Sequence, residues 1–260
     1  MIELTGAAMR QMFPNAPQAV IDAFVAKQNV LTNAGINKTR DRLAYFFANI
    51  EHECGGFTIR NLTENINYTA ERMAVVWPNR FSSAGAVRLK YGTAAGWQKK
   101  AFDDIYGSRM GNRPGTSDGS AFIGRGGPQI TGRDGYTQVG KRAGLDLVNN
   151  PELACRNEYQ PEICAAFWDW KQLNIKADAQ DFIGCVKLWN GGTNGLADRK
   201  AMMAGNDPII RRLAAVEVLK PVVNDLPAPK PAAPVTLPPA PQPSKWAAFF
   251  TSIANLFRKA

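Results

Sequence analysis

TRDRLAYFFANIEHECGGFTIRNLTE, residues 39–64, is the stretch on which the reading of this chain turns. Leu43, Phe46, Phe47 and Ile50 recur at helical spacing and predict one buried face. Thr39 stands where an N-cap would, and Gly55-Gly56 supplies the left-handed geometry that ends a helix. At about 100° per residue, Glu53 falls beside Phe46 on the rim of the apolar face, where a carboxyl can look into a cleft from a rigid support. Glu51 lies on the other flank, near Phe47, and helical phase separates the two only weakly. Glu64, eleven residues past Glu53, opens the polar segment ENINYTAER, so a second carboxyl can approach from a loop. Two carboxyls in one cleft are what cleavage of a glycosidic bond requires: one gives a proton to the leaving oxygen and the other activates water. Most glutamates near a helix end are simply solvated, so the pair alone does not settle the matter.

Around this stretch, 260 residues of which 45% are hydrophobic suffice for one large globular domain or two small ones. A net charge of +9 and a pI near 9.5 point to an anionic partner: nucleic acid, an anionic membrane or the bacterial wall. Nothing resembles a basic helix-turn-helix, a zinc finger or an aromatic–basic single-strand platform, so no nucleic-acid partner is expected. The cysteines, Cys54, Cys155, Cys164 and Cys185, form no CxxC pair, and His52 is the sole histidine, so neither a metal nor any other cofactor is expected. Small buried thiols are the default reading; outside the cytosol a Cys155–Cys164 or Cys164–Cys185 disulfide is the alternative. The N-terminal MIELTGAAMRQMFPNAP lacks a basic region followed by an apolar run, and no stretch reaches the roughly 18–20 apolar residues of a membrane span. The expectation is a protein made in a cytoplasm without a signal peptide and released by other means.

Residues 1–38 read as two short helical pieces around Pro14 and Pro17, the second over Ala19–Val30. Further helices are predicted over Thr69–Trp77, Val87–Tyr91, Gly96–Tyr106, Tyr136–Ala143, Glu158–Leu173, Asp181–Trp189 and Asp207–Leu219. Ile163, Phe167, Trp168 and Trp170 read as core. Gly56–Tyr68 reads as a short hairpin or irregular loop. The glycine-dense Gly107–Gly132 reads as a long surface loop, and a long loop inside a compact domain is usually functional. Its GRGG is no phosphate-binding loop, because no Gly-Lys-Ser/Thr follows.

Composition changes at residue 221. Residues 221–244 hold nine of the seventeen prolines and read as an extended, semi-rigid linker. In KWAAFFTSIANLFRKA (245–260), Trp246, Phe249, Phe250, Ile253, Leu256 and Phe257 share one helical stripe, bracketed by Lys245, Arg258 and Lys259. Sixteen residues are too few to cross a bilayer but suit a basic amphipathic helix lying in its interface; the alternative is a helix that folds back on the domain or self-associates.

Five separated stretches, HECGGF (52–57), ENINYTAERMAVVWPNRF (64–81), YGSRMGN (106–112), GRGGPQITGRDGY (124–136) and WNGGTNGLADR (189–199), together resemble the glycoside hydrolase family 19 domain. The likeness covers roughly residues 1–215 and is closer to the phage and prophage endolysin branch than to plant chitinases. It implies a mainly α, lysozyme-like, two-lobed helical domain with a central cleft over residues 1–220, acting as a monomer on β-1,4-linked aminosugar chains by an inverting, metal-free reaction. It implies Glu53 as the acid, Glu64 as the base, Gln129 and Thr131 as placers of water and substrate, Asn190 as a further hydrogen-bonder and Arg199 as an electrostatic or structural support. Two departures stand out: Cys54 replaces the usual Thr or Ser after the acid, and the proline of GRGGPQIT is shifted by one place.

For this chemistry Glu53 should be held protonated by an apolar flank and Glu64 kept ionised in a wetter loop, with the two roughly 6.5–9.5 Å apart to admit water. Three functional classes remain: an endolysin cutting peptidoglycan glycan strands in the periplasm of Gram-negative cells, a chitinase, and a cationic membrane-disrupting protein. The absence of a signal peptide and of cysteine-rich chitin-binding modules favours the first, with the tail engaging anionic lipid or lipopolysaccharide.

Overall fold

The structure, a computed structural model, describes residues 1–218. The expected 221–244 linker and 245–260 helix, with Lys245, Trp246, Phe249, Phe250, Ile253, Phe257, Arg258 and Lys259, lie outside the described residues. In chain order the helices are α1 (Gly6–Met12), α2 (Gln18–Ala26), α3 (Asn29–Asn33), α4 (Arg40–Cys54), α5 (Ala70–Val76), α6 (Ala84–Tyr91), α7 (Trp97–Tyr106), α8 (Asp118–Ala121), α9 (Gly132–Ala143), α10 (Gln160–Trp170), α11 (Leu173–Asp178), α12 (Phe182–Asn190) and α13 (Leu196–Val218). No described helix is long and apolar enough to cross a membrane.

The central helix forms for the reasons visible in its sequence. The Thr39 hydroxyl accepts from Arg42 N–H at 3.3 Å, and Gly55 closes α4 in the left-handed conformation. Leu43, Phe46, Phe47 and Ile50 are fully buried. Removing each from water contributes roughly 1.5–3 kcal/mol. Phe47 meets Phe13 (5.4 Å between centroids) and Phe24 (5.9 Å), so truncating it to Ala would cost about 3–5 kcal/mol.

The apolar side chains gather into two cores. The larger surrounds α4 and takes in α1, α2 and the segments from α9 onward, Trp168 and Trp189 included. The smaller is built by Tyr68, Met73, Trp77, Phe81 and Val87 with Phe102, Ile105 and Tyr106 of α7. The chain passes between them at two places. Leu62 belongs to the larger core and Tyr68 to the smaller, while Phe122 and Ile123 divide the same way. This two-lobed helical arrangement is the one the resemblance implies.

Several boundaries differ from expectation. The Ala19–Val30 helix breaks at Lys27 and restarts at Asn29. Glu158–Leu173 divides at Gln172, whose φ of 53° ends one helix and begins the next. Gly56–Tyr68 contains a 3-10 turn, Arg60–Leu62, and then a single antiparallel bridge from Thr63 to Arg125. The final helix starts not at Asp207 but at Leu196 and runs through Pro208. Asp before Pro reads locally as a helix start, yet packing against α4 carries α13 through it. The glycine-dense stretch is not a plain surface loop either. Asp118, buried within it, accepts from Arg133 Nε (2.7 Å), Arg113 Nε (3.0 Å) and Arg113 N–H (2.9 Å). The Arg133 guanidinium, and then that of Arg113, hold its carboxyl far below the usual carboxylate range.

All four cysteines are free thiols, so neither candidate disulfide is formed. Cys54, Cys164 and Cys185 are buried; Cys155 is half-buried, with Sγ 3.0 Å from Thr63 Oγ1.

Candidate active site

Glu53 occupies the last turn of α4, facing α13. Its Oε1 accepts a short hydrogen bond from Arg199 Nη2, while Arg199 Nη1 donates to Asn49 Oδ1 at 2.7 Å. Arg199 is fully buried, and 10% of the Glu53 side chain remains exposed. Asn49, one turn before Glu53, is itself fixed by donating to Tyr45 C=O at 2.7 Å. The apolar flank expected beside this carboxyl is therefore replaced by a guanidinium. Helical phase puts Glu53 at the rim of α4, but only the tertiary fold reveals that α13 brings a cation there. Glu51, the rival, has a different neighbour: its Oε2 accepts from Asn206 Nδ2 of α13 at 2.9 Å.

The turn that follows α12 lies against the same helix end. Asn190 Oδ1 accepts from Gly192 N–H at 2.9 Å, and Asn190 Nδ2 donates to Asn194 C=O at 3.2 Å, so this buried asparagine closes its own turn. Gly195, at φ 70°, presses on the buried His52 ring; a Cβ there would stand 2.2 Å from His52 Nε2. His52 Nδ1 lies 3.9 Å from Asp198 Oδ2. Cys54 also has a defined role. Its thiol donates to Ile50 C=O and accepts from Phe57 N–H, both at 3.2 Å, so it joins the end of α4 to the following segment. Burial pushes this thiol up to about 12.

Glu64 rests on a different support. Its N–H donates to Gly124 C=O at 2.8 Å, and its Oε2 accepts from Gly124 N–H at 3.0 Å. Gln129 and Thr131 gather at the same place. A Cβ on Gly124 would lie 2.9 Å from Gln129 Oε1 and 3.4 Å from Glu64 Oε2, so the missing side chain leaves room for both groups. Gln129 is held in the left-handed region, φ 55°, with Nε2 donating to Gly126 C=O at 2.8 Å. That conformation costs a non-glycine residue about 1–2 kcal/mol. Thr131 Oγ1 donates to Gln129 C=O at 3.1 Å. Thr131 and Glu64 line one small pocket with Phe102, Tyr106, Met110 and Phe122.

Glu64 is half-buried and more exposed than Glu53, as expected, but one side of it faces this apolar wall. Burial raises the Glu64 pKa above its ordinary 4.5; the Gly124 N–H bond and the Arg125 charge oppose that shift without cancelling it. A carboxylate short of water is also a stronger base. No described group of three or more His, Cys, Asp or Glu side chains could hold a metal ion.

The structure thus sorts the six sequence-derived residues into two sets, Glu64 with Gln129 and Thr131, and Glu53 with Arg199 and the nearby Asn190 turn. No family model matches the sequence. The chain is, however, 30% identical over 201 residues to a glycosyl hydrolase family 19 domain-containing protein of Haemophilus influenzae, covering 75% of this chain and 92% of that protein. The chain belongs to glycosyl hydrolase family 19. A shorter match, 41% identical over 58 residues, is to an acidic 27 kDa endochitinase of Solanum lycopersicum and covers 22% of this chain and 23% of that one. In fold, this family 19 hydrolase is similar to chitinase C from Streptomyces griseus, with a TM-score of 0.50 and 18% identity, over 80% of this chain and 92% of that one.

Sequence reasoning missed two residues of this glycoside hydrolase's site. Asn49 has a local signal, a fully buried polar residue inside an apolar helix, one turn from Glu53. Gly124 opens the GRGGPQITGRDGY stretch, but its role shows only once its partner, sixty residues earlier, is known.

Proposed function

We propose that this family 19 hydrolase cuts β-1,4 glycosidic bonds of bacterial peptidoglycan with inversion, Glu53 protonating the leaving oxygen and Glu64 drawing a proton from the attacking water. The observation that carries the assignment of roles is the convergence of Glu64 and Gln129 on Gly124, with Thr131 lining the same pocket as Glu64, which gives a water two polar neighbours beside its base. The family resemblance makes Glu53 the candidate acid, and Asn49 Oδ1 offers Arg199 a second acceptor at 2.7 Å. The guanidinium keeps a hydrogen bond there when Glu53 carries its proton. A single displacement requires the two carboxyls to stand roughly 6.5–9.5 Å apart across the bound sugar.

Peptidoglycan is supported by the bacterial relative, matched over 92% of its length, and by a net charge of +9 suited to a polyanionic wall. Chitin is the second reading, favoured by the tomato endochitinase and the chitinase C fold. Purified sacculi and purified chitin, offered separately, divide them. Release of soluble fragments from sacculi is expected, and mass spectrometry of the new reducing ends names the bond cut. Soluble oligosaccharides from chitin with sacculi left intact would overturn the peptidoglycan reading.

The basic amphipathic segment 245–260 is proposed to hold the enzyme to anionic lipid or lipopolysaccharide after its release toward the periplasmic wall. Full-length protein should then kill intact Gram-negative cells better than residues 1–220, while both digest naked sacculi. Equal killing would remove the tail's role, and loss of all effect with the tail would favour membrane disruption over catalysis.

A further inference from the structure

On the smaller lobe, two half-buried aromatic rings flank a turn open to solvent. Tyr91 ends α6, Trp97 begins α7, and residues 92–96 between them are exposed throughout. Gly92 and Gly96 have φ of 77° and 81°, and a Cβ on either would meet no described atom within 4 Å. The two rings are close to parallel, 19° apart with centroids at 6.4 Å. Phe81 meets Tyr91 edge-on at 5.8 Å, so the tyrosine is braced from the core side. The Trp97 indole N–H makes no hydrogen bond among the described residues.

Helical spacing adds a polar rim. Lys100 and Asp104 follow Trp97 by three and seven residues, so the three rise along one face of α7 over about 10 Å. Asp104 Oδ2 accepts from Tyr91 Oη at 2.5 Å and from Lys90 Nζ at 2.7 Å, which holds the Tyr91 ring beside that face. Asp104 Oδ1 accepts from no described residue, and the side chain is 41% exposed. The same helix is tied to the base. Gln98 Nε2 donates at 3.2 Å to the C=O of Tyr68, four residues after Glu64. About 14 Å further along its axis, α7 delivers Tyr106 to the wall of the Glu64 pocket. A pyranose ring has a face of C–H bonds and a rim of hydroxyl and amide groups. The C–H face packs on the electron-rich face of an indole, and the rim needs donors and acceptors close by. Trp97 offers the first, and its N–H, Lys100 and Asp104 Oδ1 offer the second.

We propose that Trp97, backed by Tyr91 and rimmed by Asp104, is an auxiliary glycan-stacking site on the smaller lobe, which holds a long aminosugar strand while the cleft cuts it. The inference rests on membership of the glycosyl hydrolase family. It does not depend on the choice between peptidoglycan and chitin, because both strands present aminosugar rings.

The test compares full-length wild type, Trp97→Ala, Trp97→Leu and Trp97→Phe. Each is co-sedimented with purified sacculi and with purified chitin, and its kinetics are followed on the polymer that the wild type digests. Trp97→Ala and Trp97→Leu should bind about fivefold to tenfold more weakly, the weight of one aromatic contact. They should raise KM by the same factor with kcat unchanged, because a contact away from the bond being cut is made equally in ground and transition states. Trp97→Phe keeps a ring and should stay within about twofold of wild type. A soluble tetrasaccharide centred on the cut bond is too short to reach Trp97, so its cleavage should be unchanged in every variant. Should Trp97→Ala melt early, Trp97→Leu keeps the apolar packing. On the wild-type protein, N-acetylglucosamine hexamer should slow oxidation of Trp97 by N-bromosuccinimide, mapped by mass spectrometry. Wild-type binding and KM in the alanine and leucine variants, equal losses on polymer and tetrasaccharide, or an unprotected Trp97 would each overturn the site. Which polymer the wild type digests is read before any variant is made, so a wrong substrate class leaves this comparison standing. Wild-type protein that sediments with neither polymer would overturn it.

Discussion

Around Glu53 the polar partners are side chains of two long helices, α4 and α13; around Glu64 they are peptide groups of a bridge only a few residues long. The first carboxylate meets a buried guanidinium, which is itself held by Asn49. The second meets a glycine N–H and an apolar wall. Charge matched by charge makes a rigid support that fails badly when one partner is removed. A half-buried carboxylate given one peptide N–H and an apolar neighbour is instead a group the fold tolerates at a cost. Two glutamates in one enzyme should therefore answer the same substitution with opposite changes in stability.

The largest expected effects are on rate. Glu53→Gln and Glu64→Gln should each lower the release of reducing ends by about 10²–10⁴-fold, the usual weight of a general acid or base. Wild-type turnover in either would break the assignment. Stability then separates the two supports. Arg199→Met leaves the Glu53 carboxylate and Asn49 facing an apolar side chain, and urea unfolding should show a loss of about 3–5 kcal/mol. Gly195→Ala comes next. Its Cβ would collide with His52 at φ 70°, so a loss of about 1–3 kcal/mol and a fall in activity are expected, because the ring that must move adjoins Glu53 in the chain.

Glu64→Gln should move the melting temperature the other way. Burial raises the Glu64 pKa above 4.5. The native state therefore holds a proton at pH values where the unfolded chain has released it. The group's contribution to stability is greatest below the unfolded value and is lost as pH rises through the raised one. At pH 7 the glutamine variant should melt higher than wild type, and the gain should shrink toward pH 4. A lower melting temperature at pH 7 would erase the contrast. Smallest of all, Glu51→Gln keeps an acceptor for Asn206, so activity should stay within about twofold of wild type and stability within about 1 kcal/mol.

The same contrast marks what the sequence reveals. The course of α4 is legible because cap, apolar spacing and glycine stop all lie within seventeen residues, Thr39 to Gly55, and agree. The two-lobed fold is legible through resemblance. The surroundings of the carboxylates are not, because they come from far along the chain: Arg199 lies 146 residues beyond Glu53, and Gly124 lies 60 beyond Glu64. A loop that looks polar in sequence can still be walled by Phe102 and Phe122, whose positions no local pattern fixes. Asp207-Pro208 misleads for a related reason, since helix-start chemistry yields to the packing of α13 on α4.

The half-buried thiol of Cys155 has a practical consequence. Among the four cysteines it alone offers a reagent access, and it touches Thr63, the residue immediately before Glu64. A maleimide fluorophore or nitroxide attached there would report on movement beside the water-activating carboxylate without any engineered site, leaving the three buried thiols as unlabelled background.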